Sequence, residues 1–169
     1  YAARFPVSSY ALAAARHMHE YGTTREQLAA VAVSARAWAG RNPEAFAREP
    51  ITVADVLSAP MISNPLGKLD CCLVTDGAAA LILRRSDEAA GPKAPVYVLG
   101  CAGEHWHKQI SAMPDLCTTA ATATGPRALA QARMTTKDID LVQVYDAFTI
   151  STIMLLEDLG FCAKGEGGP

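Results

Sequence analysis

The sequence predicts an α/β fold, and two adjoining stretches carry that expectation. Residues 139–144 alternate apolar and polar side chains with β-branched enrichment (Ile139, Leu141, Val142, Val144), the pattern of a strand at least partly buried. Directly after them, Ile150, Ile153, Met154, Leu155, Leu156 and Leu159 cover most of a helical circumference over residues 148–159, and Gly160 supplies a left-handed stop. Tyr145-Asp146-Ala147-Phe148 therefore falls on a strand-to-helix junction. In open α/β sheets ligands bind at the carboxyl ends of strands, so a phenol and a carboxylate placed here form a candidate site. A tyrosine ending a strand also serves simply to pack, and the two readings predict different mutants.

Helices fill the first third. Pro6 and Ser8 or Ser9 precede residues 10–21, an Ala-rich stretch with Leu12, Ala15 and Met18 on one stripe and Gly22 as its stop. Thr24-x-x-Gln27 has the capping-box form and opens a second helix with Leu28, Val31, Ala32, Ala35 and Trp38 on its apolar face, up to Gly40. His17 and His19 are two apart, so they face different sides of their helix and read as surface histidines, not a metal pair. Arg41-Asn42-Pro43 makes a turn, and Thr52 caps a short helix over residues 53–58, ended by Pro60.

Residues 60–76 read as loop, punctuated by Asn64-Pro65 and Gly67. Residues 78–83 follow as a strand whose small Ala side chains suit close packing against another backbone. The polar residues 86–94, with Gly91-Pro92, are the candidate domain boundary, and residues 95–102 form a near-continuous apolar strand. Glu104-His105-Trp106-His107 opens an irregular segment. His-x-His without a third ligand is a weak metal signal, so His105 and His107 read as a substrate-lining loop. A helix then runs through residues 126–133 with Pro126 in its first turn, and Thr135-x-x-Asp138 caps the turn into the strand at 139.

Composition narrows the function. Half of the residues are hydrophobic, enough for one globular domain with a sizeable core. A formal charge of −2 offers no basic field for nucleic acid. No run approaches the roughly 18 apolar residues of a membrane span, and the opening Y-A-A-R-F-P lacks the regions of a signal peptide, so a cytoplasmic protein is expected. The five cysteines, Cys71, Cys72, Cys101, Cys117 and Cys162, show no C-x-x-C spacing. Cys71 and Cys72 read as reduced core residues, and no metal site is expected. Nothing near Cys117 in sequence would lower its thiol below about 8.5.

The run V-Y-D-A-F-T-I-S-T-I-M-L-L-E-D-L-G-F-C, with G-E-G-G after it, resembles the second-half motif of the thiolase superfamily in its sterol-carrier or lipid-transfer branch. G-T-T-R-E-Q-L-A-A-V-A-V, T-V-A-D-V-L-S-A-P-M-I and D-C-C-L-V-T-D-G-A-A-A-L-I-L resemble the same branch in the same order. Thiolases carry N-E-A-F, and the sterol-carrier branch H-D-C-F, where this chain has Y-D-A-F. The resemblance implies a three-layer αβαβα fold of which this chain is a middle piece. Residues 1–67 would be a helical loop-domain segment, 68–90 the last strand of the first half, and 95–169 the beginning of the second. That mapping accounts for only three strands being legible, fewer than a stable sheet usually has.

The implied activity is acyl transfer on acyl-CoA and 3-oxoacyl-CoA through an acyl-cysteine. The nucleophile, the G-H-P histidine and the C-x-G cysteine would all lie outside these residues. Tyr145 stands where the family places an oxyanion-hole Asn or His, which implies a hydrogen-bond or proton donor, with His105, His107 and Phe148 lining the substrate. Asp146 is expected to cap the following helix. A tyrosine here is also similar to lipid-transfer-like retro-aldolases, which cleave a β-hydroxyacyl-CoA and work with an OB-fold partner. A non-catalytic scaffold or binding subunit is the third reading. The coenzyme A thioester is substrate, no further cofactor is implied, and a homodimer is expected.

Overall fold

In the computed structural model, which describes residues 5–88 and 94–169, helix α1 (Pro6–Tyr21) opens at Pro6 itself. A proline at N1 has no N–H to leave unpaired and a φ already suited to the helix, so the helix starts earlier than expected. Gly22, at φ 72°, ends it. Helix α2 (Arg25–Arg41) begins with the expected reciprocal cap: Gln27 N–H donates to Thr24 Oγ1 at 3.3 Å, and Thr24 N–H donates to Gln27 Oε1 at 2.9 Å. Helix α3 (Val53–Ser58) repeats the device with Thr52 and Asp55.

The stretch expected as loop contains a short antiparallel hairpin, β1 (Met61–Ser63) and β2 (Leu66–Gly67), joined through a cis Asn64-Pro65 bond. A 3-10 turn, Lys68–Asp70, follows. Its Asp70 is buried: Oδ2 accepts from Gly67 N–H at 2.8 Å, and Oδ1 accepts from the Thr149 hydroxyl at 3.0 Å. That carboxylate joins the hairpin to the start of helix α5.

Helix α4 (Ala121–Ala132) places Pro126 inside the helix, not in its first turn. Residues 121–125 precede the proline in the helix, and the missing proline N–H leaves one carbonyl of the first turn without its helical donor. Helix α5 (Thr149–Asp158) matches expectation closely, with Phe148 as N-cap and Gly160 left-handed at φ 84°. No side chain caps it, so Asp146 lacks the expected role. Asp70 supplies the negative charge at that end, where the helix dipole favours it.

Helices α1 and α2 both pack against α5. Ala11, Ala14, Leu28, Leu66, Ile150 and Ile153 form the centre of the core. Ile150 and Ile153 are essentially unexposed, and burial of each side chain contributes about 1.5–3 kcal/mol. Gly167 lies against this helix so closely that a Cβ there would meet the Ile153 carbonyl oxygen at 2.9 Å. Backbone cannot yield as a side chain can, so Gly167→Ala is expected to destabilise the full-length protein by about 1–3 kcal/mol, read as a lower denaturant midpoint.

Residues 78–83, 95–102 and 139–144, each expected as a strand, run without ladder hydrogen bonds among the described residues. Leu81, Ile82, Leu83, Val96, Val98 and Leu141 are exposed along them. A strand needs a neighbour to take its backbone groups, and no strand pairing joins these segments among the described residues. The expected boundary at 86–94 falls largely on residues 89–93, outside the described residues. Among the described residues no helix is long and apolar enough to cross a membrane.

Candidate functional site

The Tyr145–Phe148 junction is held by the chain that follows β2. Cys71 and Phe148 form an isolated antiparallel bridge, and Cys72 N–H donates to the Ala147 carbonyl at 3.0 Å. Alternation along extended backbone then sends Tyr145 and Phe148 to opposite sides. Phe148 turns into the core, 8% exposed, with its ring centroid 4.5 Å from that of Tyr10. Phe148 is not among the residues that line the groove beside it. Tyr145, 73% exposed, points outward.

Tyr145 lines an open groove of about 1220 Å³ whose walls also include Tyr10 of α1, His105, His107, and Ser151 and Met154 of α5. Three of the four residues expected at the site thus share one cavity. The histidine loop is fixed from α4: Glu104 accepts from Trp106 Nε1 at 2.7 Å and pairs with Arg127 at 3.0 Å. The phenol of Tyr145 lies above the ordinary tyrosine value. The neighbouring Cys72 thiol raises it most, then loss of hydration, with Tyr10 and Asp146 adding to the effect. It therefore stays protonated at neutral pH and is a hydrogen-bond donor.

A second polar cluster was not legible as such. His17, expected on the surface, is fully buried, its Nδ1 2.7 Å from Thr23 Oγ1 and its Nε2 2.9 Å from Glu157 Oε2. Glu157 also accepts from Gly167 N–H at 3.0 Å and pairs with Lys164 at 3.2 Å. Lys164 reaches Asp158 and the Cys117 carbonyl as well, and Asp158 accepts from Thr119 N–H at 2.7 Å. The available signal was His17's position three and four residues after Ala14 and Ala13, on the buried stripe of α1. Cys72, expected in the core, is exposed.

Glu20, Asp115 and Cys117 bring metal-type ligand atoms within 4.8 Å of one another. The Cys117 thiol, however, is pushed up to about 12, first by burial and then by the Asp115 and Glu20 carboxylates. A thiol that keeps its proton at neutral pH is a poor nucleophile. Cys117 is accordingly expected to resist iodoacetamide in the native full-length protein and to react once denaturant is added. Labelling before unfolding, located by peptide mass, would contradict this.

Residues 102–169 match the family described as Thiolase C-terminal domain-like. An acetyl-CoA acetyltransferase of Methanothermobacter thermautotrophicus is 45% identical over 166 residues, covering 97% of this chain and 43% of that protein. A 17-hydroxy-3-oxo-4-pregnene-20-carboxyl-CoA lyase of Mycobacterium tuberculosis is 34% identical over 173 residues, covering 95% of this chain and 44% of that protein. A solved structure described as an Ltp2-ChsH2(DUF35) aldolase superposes with a TM-score of 0.88 at 31% identity, covering 99% of this chain and 46% of that one. The chain thus spans less than half the length of these relatives.

Proposed function

Sequence and fold make this chain a relative of the thiolases, and on that premise we propose that it forms part of an acyltransferase acting on acyl-CoA and 3-oxoacyl-CoA. The acyl-cysteine would be supplied by residues outside this stretch. Residues 1–67 would serve as a helical loop-domain segment, 68–90 as the end of the first half and 95–169 as the start of the second. The observation that carries the reading is Tyr145: a protonated phenol on a groove at the junction before α5. Its O–H would donate to the thioester oxygen as negative charge develops there, while His105 and His107 line the acyl thioester. Donors preplaced for that charge need no rearrangement during the reaction, which is why they lower barriers.

Tyrosine in place of the thiolase Asn or His, together with the similarity to a lyase and an aldolase, favours a second reading. In it the protein cleaves the Cα–Cβ bond of a β-hydroxyacyl-CoA and works with a partner protein, as well as pairing with its own copy. Retro-aldol cleavage also leaves negative charge on a thioester oxygen, so the same donor serves both reactions. A base for the β-hydroxyl proton would then have to be another group, because Tyr145 holds its proton.

The full-length protein separates the two. Given acetoacetyl-CoA and free coenzyme A, an acyltransferase is expected to release acetyl-CoA and to carry an acetyl group on one cysteine, seen by mass. Given a β-hydroxyacyl-CoA, a lyase would release an aldehyde or ketone with no covalent intermediate. Absence of both activities would remove the enzymatic reading.

A further inference from the structure

The two adjacent cysteines after β2 face opposite ways, and the outward one shares a face with Tyr145. Their segment is fixed to the start of α5 at three successive points: Asp70 Oδ1 accepts from the Thr149 hydroxyl at 3.0 Å, Cys71 bridges Phe148, and Cys72 N–H donates to the Ala147 carbonyl at 3.0 Å. Cys71 turns inward, where its thiol donates to the Gly67 carbonyl at 3.3 Å and packs against the core. Alternation along the pair then puts Cys72 on the other face, with Ala147 directly opposite it and Tyr145 diagonally across. Diagonal neighbours stand roughly 7–8 Å apart, a gap that an aromatic side chain spans. Ala147 carries only a methyl, so it does not fill that diagonal. The Cys72 thiol is the first cause of the raised Tyr145 phenol, acting by charge and by a hydrogen bond as well. Cys72 is exposed but is not among the residues lining the groove, so its route to a ligand there runs through Tyr145.

We infer that Cys72 is a positioning residue for Tyr145: its backbone is pinned to the Ala147 carbonyl, and its thiol shares a hydrogen bond with the phenol that fixes the direction of the O–H across the groove. A phenol has one proton to give and lone pairs to receive another, and a thiol is a weak donor. With the S–H donated to the phenol oxygen, the phenol proton stays free for an oxygen in the groove, and one bond of such a chain strengthens the next. This inference rests on the reading of Tyr145 as the donor and adds the group that aims it.

A double-mutant cycle on the full-length protein tests it, in whichever of the two reactions above the protein catalyses. Cys72→Ala is expected to lower kcat roughly 3- to 10-fold, the worth of one neutral hydrogen bond, with KM nearly unchanged. In the Tyr145→Phe background the same substitution is expected to change kcat by less than about 1.5-fold, since no hydroxyl is left to aim. Cys72→Ser keeps a donor and is expected to recover most of the lost rate. Tyr145 faces Cys72, Tyr10 of α1 and Asp146, and shares the groove with Glu104, His105, His107 and Lys108. Only Cys72 changes in the variant, so the alkaline limb belonging to Tyr145 is expected to move to lower pH in Cys72→Ala. Wild-type kcat in Cys72→Ala, or equal losses in both backgrounds with a lower melting point, marks Cys72 as a structural residue and overturns the proposal alone. If Tyr145→Phe keeps the wild-type rate, or neither reaction occurs, the reading of Tyr145 falls and takes this proposal with it.

Discussion

Tyr145→Phe in the full-length protein is expected to lower kcat and kcat/KM together by roughly 10²- to 10³-fold, the scale of a lost oxyanion-hole donor. Phenylalanine keeps the ring and removes only the O–H. Tyr145 is 73% exposed within residues 1–169 and phenylalanine retains its ring contacts, so the thermal midpoint should stay close to wild type. The two parameters should fall together because the lost bond forms with charge that exists only in the transition state. The raised phenol adds a sign: with its pKa above the ordinary value, the donor persists beyond the pH at which a free tyrosine would ionise. The wild-type rate should therefore carry an alkaline limb displaced upward, and the Phe variant should lack it. A variant within about threefold of wild type on both acyl-transfer and retro-aldol substrates would assign Tyr145 to packing alone.

Glu157→Ala is expected to have the largest effect on stability, about 3–5 kcal/mol, the cost of breaking a buried ion pair by removing one partner. Burial pushes the Glu157 carboxyl up, but hydrogen bonds from His17, Gly167 and Lys164 outweigh it, leaving the group below its ordinary value. A carboxylate with a depressed pKa stabilises the fold above its ordinary pKa, and that contribution is lost as pH falls through the lower, folded value. Lys164 runs the other way. Burial lowers it, yet Asp158 and Glu157 hold it above its ordinary value, so its contribution is present below that value and lost as pH rises through the higher one. Stability should plateau between the two. Glu157→Gln, which keeps the shape and an acceptor, should cost less and flatten the part of the acid limb that Glu157 carries in melting experiments.

Features settled by near neighbours were legible. The caps at Thr24 and Gln27, Thr52 and Asp55, and Thr135 and Asp138 all formed as spaced, and Gly160 ended α5, because each needs only the local chain. Tyr145 was legible as the residue between an extended run and an apolar helix. What failed depended on distant partners. Asp146 looked like the cap of α5, but Asp70, 79 residues away from Thr149, takes that end. His17 looked exposed until Glu157, 140 residues on, gave it a buried partner. The hairpin at Met61–Gly67 is too short for periodicity to reveal, and Pro126 was read as a helix start because the Thr and Gly residues before it are weak helix formers that only tertiary packing makes helical.

The bare extended runs at 78–83, 95–102 and 139–144 bear on how residues 1–169 would behave when made alone. Each presents a run of backbone N–H and C=O groups without strand partners among the described residues, beside exposed Leu, Ile and Val, which is the template on which further copies add strand by strand. Lys and Pro, which ordinarily blunt such edges, are missing from 139–144 and from 78–83. Self-association into β-rich aggregates, seen as thioflavin binding that grows with concentration, should then precede any loss of the helical core. Arg or Lys introduced at Leu81 and Leu141 should suppress it by charge repulsion between stacking chains.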